Sequence, residues 1–557
     1  MRLRQTVLSL ALLLATLGLT LTSCNDGPAY VRPPLDIPGT FRFGPEKAEI
    51  AEVKAYMGDL FWWDFFQDET LKDLIATALV KNYDVKLAAE KIEQARAQVG
   101  LARSAQYPNL SGVVNYSTYK YSEYSPTWTA HGAQSASDSF NIGLQSSYQV
   151  DFWGQYRNAT AAQRATLLAT EEARNVVFLT LVSQVATAYF QLLELDMELE
   201  ISKSTLTSRE QSLALVTARE EGGVATMLDV DQAKVLVITA QATITQIQQQ
   251  QAITEDYLSF LLGMNPRDIP RGKTLLEQLK GEPIPPGLPS SLLINRPDIR
   301  QAELQIVAAN LQIGAARALF FPQISLTAQS GSLTKQLTDL FLVNSYNTSG
   351  IAALLQPIYN AGQIKSNVQI AESVKRQAAL TYQRIVLNAF KEVSDALVSY
   401  QQSKIYRKQM EEQTATLSNQ SDLANMRYEG GVSSYLEVLD TETRYFSAEL
   451  ALAKAQLNEL LYIVNIYAAL GGGWNQAGAP LPTPLPSPLP TPSASAAPAS
   501  SAPTTAASPS PTTAAPTPTP TESAAPSPTK PVPMPTARIT PISIPSSSSS
   551  PTPAPSK

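Results

Sequence analysis

The chain has 557 residues, 16% of them charged, a formal net charge of −6, one Cys and one His. The length exceeds one simple globular core, and a mildly acidic chain without a basic block excludes a nucleic-acid binder. One Cys and one His leave neither a Cys/His metal cluster nor a Cys–His catalytic pair.

The elements follow in chain order. Arg2 and Arg4 precede an apolar run over 7–21, too short for a spanning helix and typical of a secretory signal. The run ends in Leu21-Thr22-Ser23-Cys24, which resembles a bacterial lipobox and holds the chain's single cysteine. The resemblance implies cleavage before Cys24, lipid on its thiol and, with Asn25 rather than Asp next, residence at the periplasmic leaflet of an outer membrane. Such an anchor holds a chain at a membrane without spanning it.

A helix is expected over 71–104, stopping before Pro108. Two extended runs follow, 109–121 and 138–152. In the second, Phe140, Ile142, Leu144, Ser146, Tyr148 and Val150 share one face, and alternation over that length suits strands that cross a bilayer. The polar residues between them include His131, read as solvated. Residues 155–218 contain neither Pro nor Gly and read as one rod of roughly 95 Å. Val176, Leu179, Val182, Val185, Ala186, Tyr189 and Leu193 recur near heptad spacing, which argues coiled-coil packing. Ser183, Gln184, Thr187 and Gln191 interrupt the apolar stretch, so it is not read as a membrane span.

The rod ends in Arg219-Glu220-Glu221-Gly222-Gly223-Val224-Ala225, and the chain writes Arg427-Tyr428-Glu429-Gly430-Gly431-Val432-Ser433 at an offset of 208. Glycine ends a helix because it takes the left-handed conformation cheaply. Thr226 and Ser434 stand where they can cap the next helix, with Asp229 and Glu437 three residues on. Each glycine pair is thus a tight turn between antiparallel helices that return to about 262 and 470. The duplication reaches farther back: 82–111 aligns with 296–325 at an offset of 214, matching Gly100, Arg103 and Pro108 with Gly314, Arg317 and Pro322. The second copy therefore predicts a helix over 298–319, strands over 323–333 and 348–359, and a rod over 363–427. A unit of about 200 residues is far too long for a solenoid.

The predicted organisation is a signal over 1–23, an anchored segment over 24–70, repeats over 71–264 and 296–470, a connector over 265–295 and a short closing segment over 471–479. Residues 480–557 hold 24 of the 40 prolines, a Pro/Ser/Thr/Ala composition that cannot bury enough apolar surface to fold.

The order of motifs resembles the TolC-like outer-membrane factors, in the OprM- and NodT-like lipoprotein branch of tripartite RND-type efflux systems. The residues that carry it are Tyr30-Val31-Arg32-Pro33, the aromatic run from Trp62 through Trp63 to Ile75, Val150-Asp151-Phe152-Trp153-Gly154, the stretches 288–299 and 316–328, Leu355 to Ile364, and 469–475. Trp62 and Trp63 are read as belt packing. The resemblance implies an α+β membrane protein, in which three chains close a twelve-stranded β-barrel continued by an α-helical barrel with an equatorial belt. It implies a homotrimeric exit duct, working with a periplasmic adaptor and an RND-type inner-membrane pump, with no cofactor, no metal and no nucleic acid.

It also implies which residues act. Glu437, Asp440, Asp229 and Tyr428 would line the periplasmic aperture, Tyr428 bonding to Asp229 to hold it shut. The turns Gly222, Gly223, Val224, Ala225 and Gly430, Gly431, Val432, Ser433 would meet the adaptor. Relatives carry an Arg near the position of Ser433 or at that of Thr443; here Arg444 stands one place along. Acidic residues in a first helical turn also cap and complement the dipole, so Asp229 and Glu437 carry both readings. Asp440, beyond that turn, points to the pore. Two rivals remain: an enzyme, for which no nucleophile–base pair or metal set is visible, and a non-conducting, periplasm-spanning coiled-coil lipoprotein.

Overall fold

A computed structural model describes residues 27–42, 60–120, 122, 136–279 and 289–472. Cys24, the signal, His131, part of the connector and the 480–557 tail lie outside the described residues.

The chain enters through a one-turn helix α1 (Trp62–Phe65), then α2 (Glu69–Lys81) and α3 (Tyr83–Ser104). One continuous helix was the sequence expectation, and Asn82 is why there are two. Its backbone leaves the helical region, and its Oδ1 accepts from the backbone N–H groups of Asp84 and Val85 at 2.7 and 3.3 Å. A side chain that satisfies the first amides of the next helix is an N-cap, so Asn82 closes α2 and opens α3. Its Nδ2 donates to Leu261 O at 2.8 Å, fixing the break against the end of a helix 179 residues away.

Four strands follow as two hairpins: β1 (Asn109–Lys120) with β2 (Ala136–Val150), and β3 (Gln323–Thr334) with β4 (Tyr346–Leu355). They form one antiparallel sheet in the order β1-β2-β3-β4, so the seam between the repeats is itself a strand pair. β4 stops at Leu355 rather than at 359, because Pro357 has no N–H to give a ladder. The register places Tyr116 opposite Phe140, Val114 opposite Ile142, Tyr148 opposite Leu326 and Ile324 opposite Leu354. One face of the sheet is therefore apolar. The other carries Asn115, Asn141, Gln145, Ser147, Gln149, Thr327 and Gln329. At the centre Gly143 faces Gly331, and a Cβ on Gly331 would sit 2.2 Å from Ile142 O.

Each sheet exit turns into a rod. α4 (Gln155–Glu221) and α9 (Gln363–Glu429) have 67 residues each, about 100 Å of helix. Both start after a left-handed glycine, Gly154 at φ 77° and Gly362 at φ 83°. Asp151 caps the first rod, accepting from Tyr156 N and Arg157 N. The return helices α5 (Met227–Leu261) and α10 (Tyr435–Ala469) have 35 residues each. Short helices α6 (Leu275–Gln278) and α7 (Leu292–Asn295) lead into α8 (Pro297–Arg317), which runs along α4 and α9.

The largest core lies at mid-height, where Leu71, Leu74 and Ile75 of α2 pack against Val185, Tyr189 and Leu192 of α4, with Trp62 and Phe65 at its margin. By length and composition α4 holds a stretch apolar enough to cross a membrane, yet half of that stretch is buried within the protein. Its hub is Asp68, 2% exposed. This carboxylate caps α2 through Thr70 N (2.9 Å) and accepts from Tyr189 Oη (2.9 Å), Lys273 N (3.1 Å) and Gln278 Nε2 (2.7 Å). One buried anion thus ties the belt, the rod and the connector together. Asp68→Ala leaves those donors unpaired and should cost about 3 kcal/mol of unfolding free energy; a thermal-melt series in detergent measures it, and an unchanged midpoint removes Asp68 as the hub.

Candidate functional site

The rod tips hold the residues singled out above. At the first tip Gly222 is helical and Gly223 left-handed (φ 72°); Gly223 N donates to Glu220 O and Val224 N to Arg219 O, both at 2.8 Å. The second tip repeats this: Gly431 has φ 72°, Gly431 N donates to Tyr428 O and Val432 N to Arg427 O, both at 3.0 Å. These are the paired hydrogen bonds of a Schellman end. Apart from its own chain neighbours, no described atom lies within 4 Å of a Cβ built on Gly223 or Gly431, so glycine is there for its backbone angle and not for space.

The turns then present side chains outward. Val224 and Val432 are each 73% exposed, joined by Met227, Leu228 and Leu436. Ala225 and Ser433 are half-buried, and Ser433 Oγ is buried without a hydrogen-bond partner in the chain. The apolar triplet Met227, Leu228 and Leu436 was not read from the sequence; its signal was the leucine two places after each cap position.

The two caps differ. Thr226 and Asp229 form a complete capping box: Thr226 N donates to Asp229 Oδ2 at 2.9 Å and Asp229 N to Thr226 Oγ1 at 3.4 Å. Ser434 makes no side-chain cap, contrary to the sequence expectation. Glu437, the counterpart of Asp229, turns instead toward Arg427, 3.8 Å away. Asp440 pairs with Arg444 at 3.0 Å, one helical turn on, and Thr443, the residue before Arg444, bonds back to Leu439 O.

Tyr428 does not hydrogen-bond to Asp229; its hydroxyl is buried without a partner among the described residues. Its contact is Arg219, whose guanidinium lies 4.6 Å from the ring centroid and donates to Tyr428 O at 3.1 Å. Burial pushes the Tyr428 hydroxyl above its ordinary value, against the pull of Arg219. Arg219 thus links the first hairpin to the second by a cation–π contact and a carbonyl bond. Sequence reasoning passed over it, although its repetition as Arg427 was visible. Farther up, Arg209 is 2% exposed, donates to Leu236 O at 3.0 Å and lies over the Phe446 ring at 4.9 Å. Burial pulls its guanidinium down and pushes the facing Glu442 carboxyl up. Among the described residues no three His, Cys, Asp or Glu side chains gather as a metal site.

The profile for the family described as outer membrane efflux protein matches residues 74–264 and 288–472, one block over each repeat. The chain belongs to this outer membrane efflux family. It is 35% identical over 462 residues to the cation efflux system protein CusC of Escherichia coli O6:H1, covering 82% of this chain and 98% of that one. It is 38% identical over 417 residues to the solvent efflux pump outer membrane protein SrpC of Pseudomonas putida, covering 74% and 87%. A solved CusC structure, described in terms of transmembrane channel formation, matches with a TM-score of 0.72 at 33% identity, covering 81% of this chain and 100% of that one. Membership in the outer membrane efflux family places the chain at the outer membrane, and the α+β fold of hairpin rods on a four-stranded sheet is that of these channels.

One further group, on the first rod, bears on how stability depends on pH. On α4 Glu198 adjoins the buried Glu194, whose Oε1 lies 3.6 Å from Lys454 Nζ of α10. Burial, with the neighbouring Glu194, pushes the Glu198 carboxyl from 4.5 up to about 7. The folded chain keeps a proton that the unfolded chain releases earlier, so this stabilisation is complete at low pH and is lost as pH rises from 4.5 to about 7. Melting midpoints across that window should fall in the native protein and fall less in Glu198→Gln; equal slopes would clear Glu198 as the cause.

Proposed function

We propose that three copies of this chain form a passive outer-membrane exit duct of a tripartite efflux system, gated at the rod tips. The observation that carries this is the sheet: one apolar face, one polar face and two open edges. Open edges do not survive in lipid, so copies must close them. Two chains would supply eight strands, whose interior side chains fill. Three give twelve, with an even count, an apolar outside and a lumen lined by Asn, Gln, Ser and Thr.

The anchor agrees with this orientation. Residues 27–42 lie along α8, where Tyr30 Oη donates to Glu303 at 3.1 Å, Arg32 pairs with Glu303, and Asn310 Nδ2 donates to Pro28 O at 2.6 Å. Gly27 sits against Gly314, where a Cβ would come within 2.9 Å of it. This seat for the segment that begins three residues after Cys24 supports a lipid anchor at that cysteine.

At the far end the exposed valines and their apolar neighbours form the surface for a periplasmic adaptor, which passes cargo from an RND-type inner-membrane pump. Glu437 and Asp440 line the aperture, Asp229 holds its helix start, and Tyr428 holds the two hairpins together through Arg219. The named relatives serve cations and solvents, so cargo is chosen upstream of the duct. In planar bilayers the native protein should show small, cation-preferring steps, and Glu437→Ala/Asp440→Ala larger ones without that preference. Equal conductance in both removes the acidic aperture; no conductance in either, with no trimer, returns the chain to a structural coiled-coil lipoprotein.

A further inference from the structure

The rods and return helices of the two repeats match in length and spacing. The bounds of α9 and α10 each lie 208 residues after those of α4 and α5, at all four ends. Within one chain the first hairpin meets the second chiefly through α4 and α10, and at the tips through the ends of α4 and α9. In a closed ring the second hairpin must meet the first hairpin of the next copy, and the same helix types then face each other, α9 against the partner's α5 along the seam and against the partner's α4 at the tips. A contact seen inside the chain therefore predicts one between chains at a 208-residue offset.

At the tips the inside contact is Arg219 with Tyr428. Its counterpart is Arg427 with residue 220 of the neighbour, and residue 220 is Glu. We infer that Arg427 pairs with Glu220 of the partner subunit, so the seams between subunits are latched by an ion pair where the seams within subunits are latched by an arginine on an aromatic ring. The inference rests on the trimeric closure proposed above.

The state of both side chains agrees. Arg427 is 51% exposed and its acidic neighbour Glu437 is at 3.8 Å, outside hydrogen-bond range. Arg219, whose ring partner is present, is half-buried. The Glu220 side chain is half-buried and has neither a hydrogen bond nor an ion pair among the described residues. Transferring Arg427 to the partner's Glu220 satisfies both and leaves Glu437 to the aperture.

The same operation on contacts farther up gives no second ion pair. Arg209 facing Glu442 and Phe446 becomes Leu417 facing Lys234 and Ile238. Lys454 with Glu194 becomes Gln246 with Gln402. Of these three stations on the subunit seam, only the tip is charge-paired. An exposed pair is screened by salt, whereas the partly desolvated Arg219–Tyr428 contact is screened less, so the seams between subunits are the ones that part.

The test uses the full-length protein purified in detergent. Glu220→Cys/Arg427→Cys, oxidised or bridged with a short bis-maleimide, should run as covalent dimers and trimers on a denaturing gel. Neither single variant should, which controls for Cys24. Light scattering on the same sample separates the failures: trimers without cross-links overturn the pair alone, and monomers overturn the trimeric closure with it. Charge reversal tests the interaction itself. Glu220→Arg and Arg427→Glu alone should each raise single-channel conductance several-fold, and the two together should return it to the native level. Cross-linking without that rescue means proximity without an ionic latch and overturns the inference.

Discussion

The constraint beneath this structure is that a backbone in lipid must have every N–H and C=O satisfied from within the protein. A chain with four strands cannot meet it alone, since β1 and β4 each present an open edge. Closure by copies follows, and much of the rest follows from closure. The sheet sorts its side chains into an apolar and a polar face, and the chain leaves each hairpin in the same direction. The rods continue the ring because a left-handed glycine redirects each of them at the same point.

Duplication is the economical way to build such a ring. Two copies of one hairpin-and-rod unit make a wall segment whose two ends resemble each other, so one kind of joint can be used six times. The copies have since diverged where the joints differ in context. Thr226 and Asp229 still make a capping box, whereas Ser434 makes none and Glu437 is drawn toward Arg427. Tyr428 took a ring to the position where the first copy keeps Glu220.

Long-period features were legible in the sequence. The rods, the return helices and the strands were placed within a few residues, because the absence of Pro and Gly over 60 residues and period-two alternation leave few other solutions. Features set by a single long-range bond were not legible. Asn82 is a local cap, but its break is held in place because its amide reaches Leu261 O, and nothing local signals that partner. Asp68 looked like an ordinary acid beside a helix start, and only the fold brings Tyr189, Lys273 and Gln278 onto it. The tip showed both outcomes: its glycines were readable from backbone rules, while the partner of Tyr428 depended on how two hairpins lie side by side.

The absence of a hinge in the rods has a mechanical meaning. Between the belt residues around Leu193 and the end of α4 at Glu221 there is no Gly or Pro to localise a bend, so in the gate proposed above this arm of about 40 Å would swing as a stiff lever on a fulcrum at the belt. A tilt of only about 7° at the fulcrum carries the tip through an arc of about 5 Å, close to one helical turn. A diaphragm of such levers opens widely for little distortion at its pivot. In that proposed gate the strands beyond the pivot would stay still while the far end moves, and the force needed would be set by the latches at the rim rather than by the stiffness of the wall.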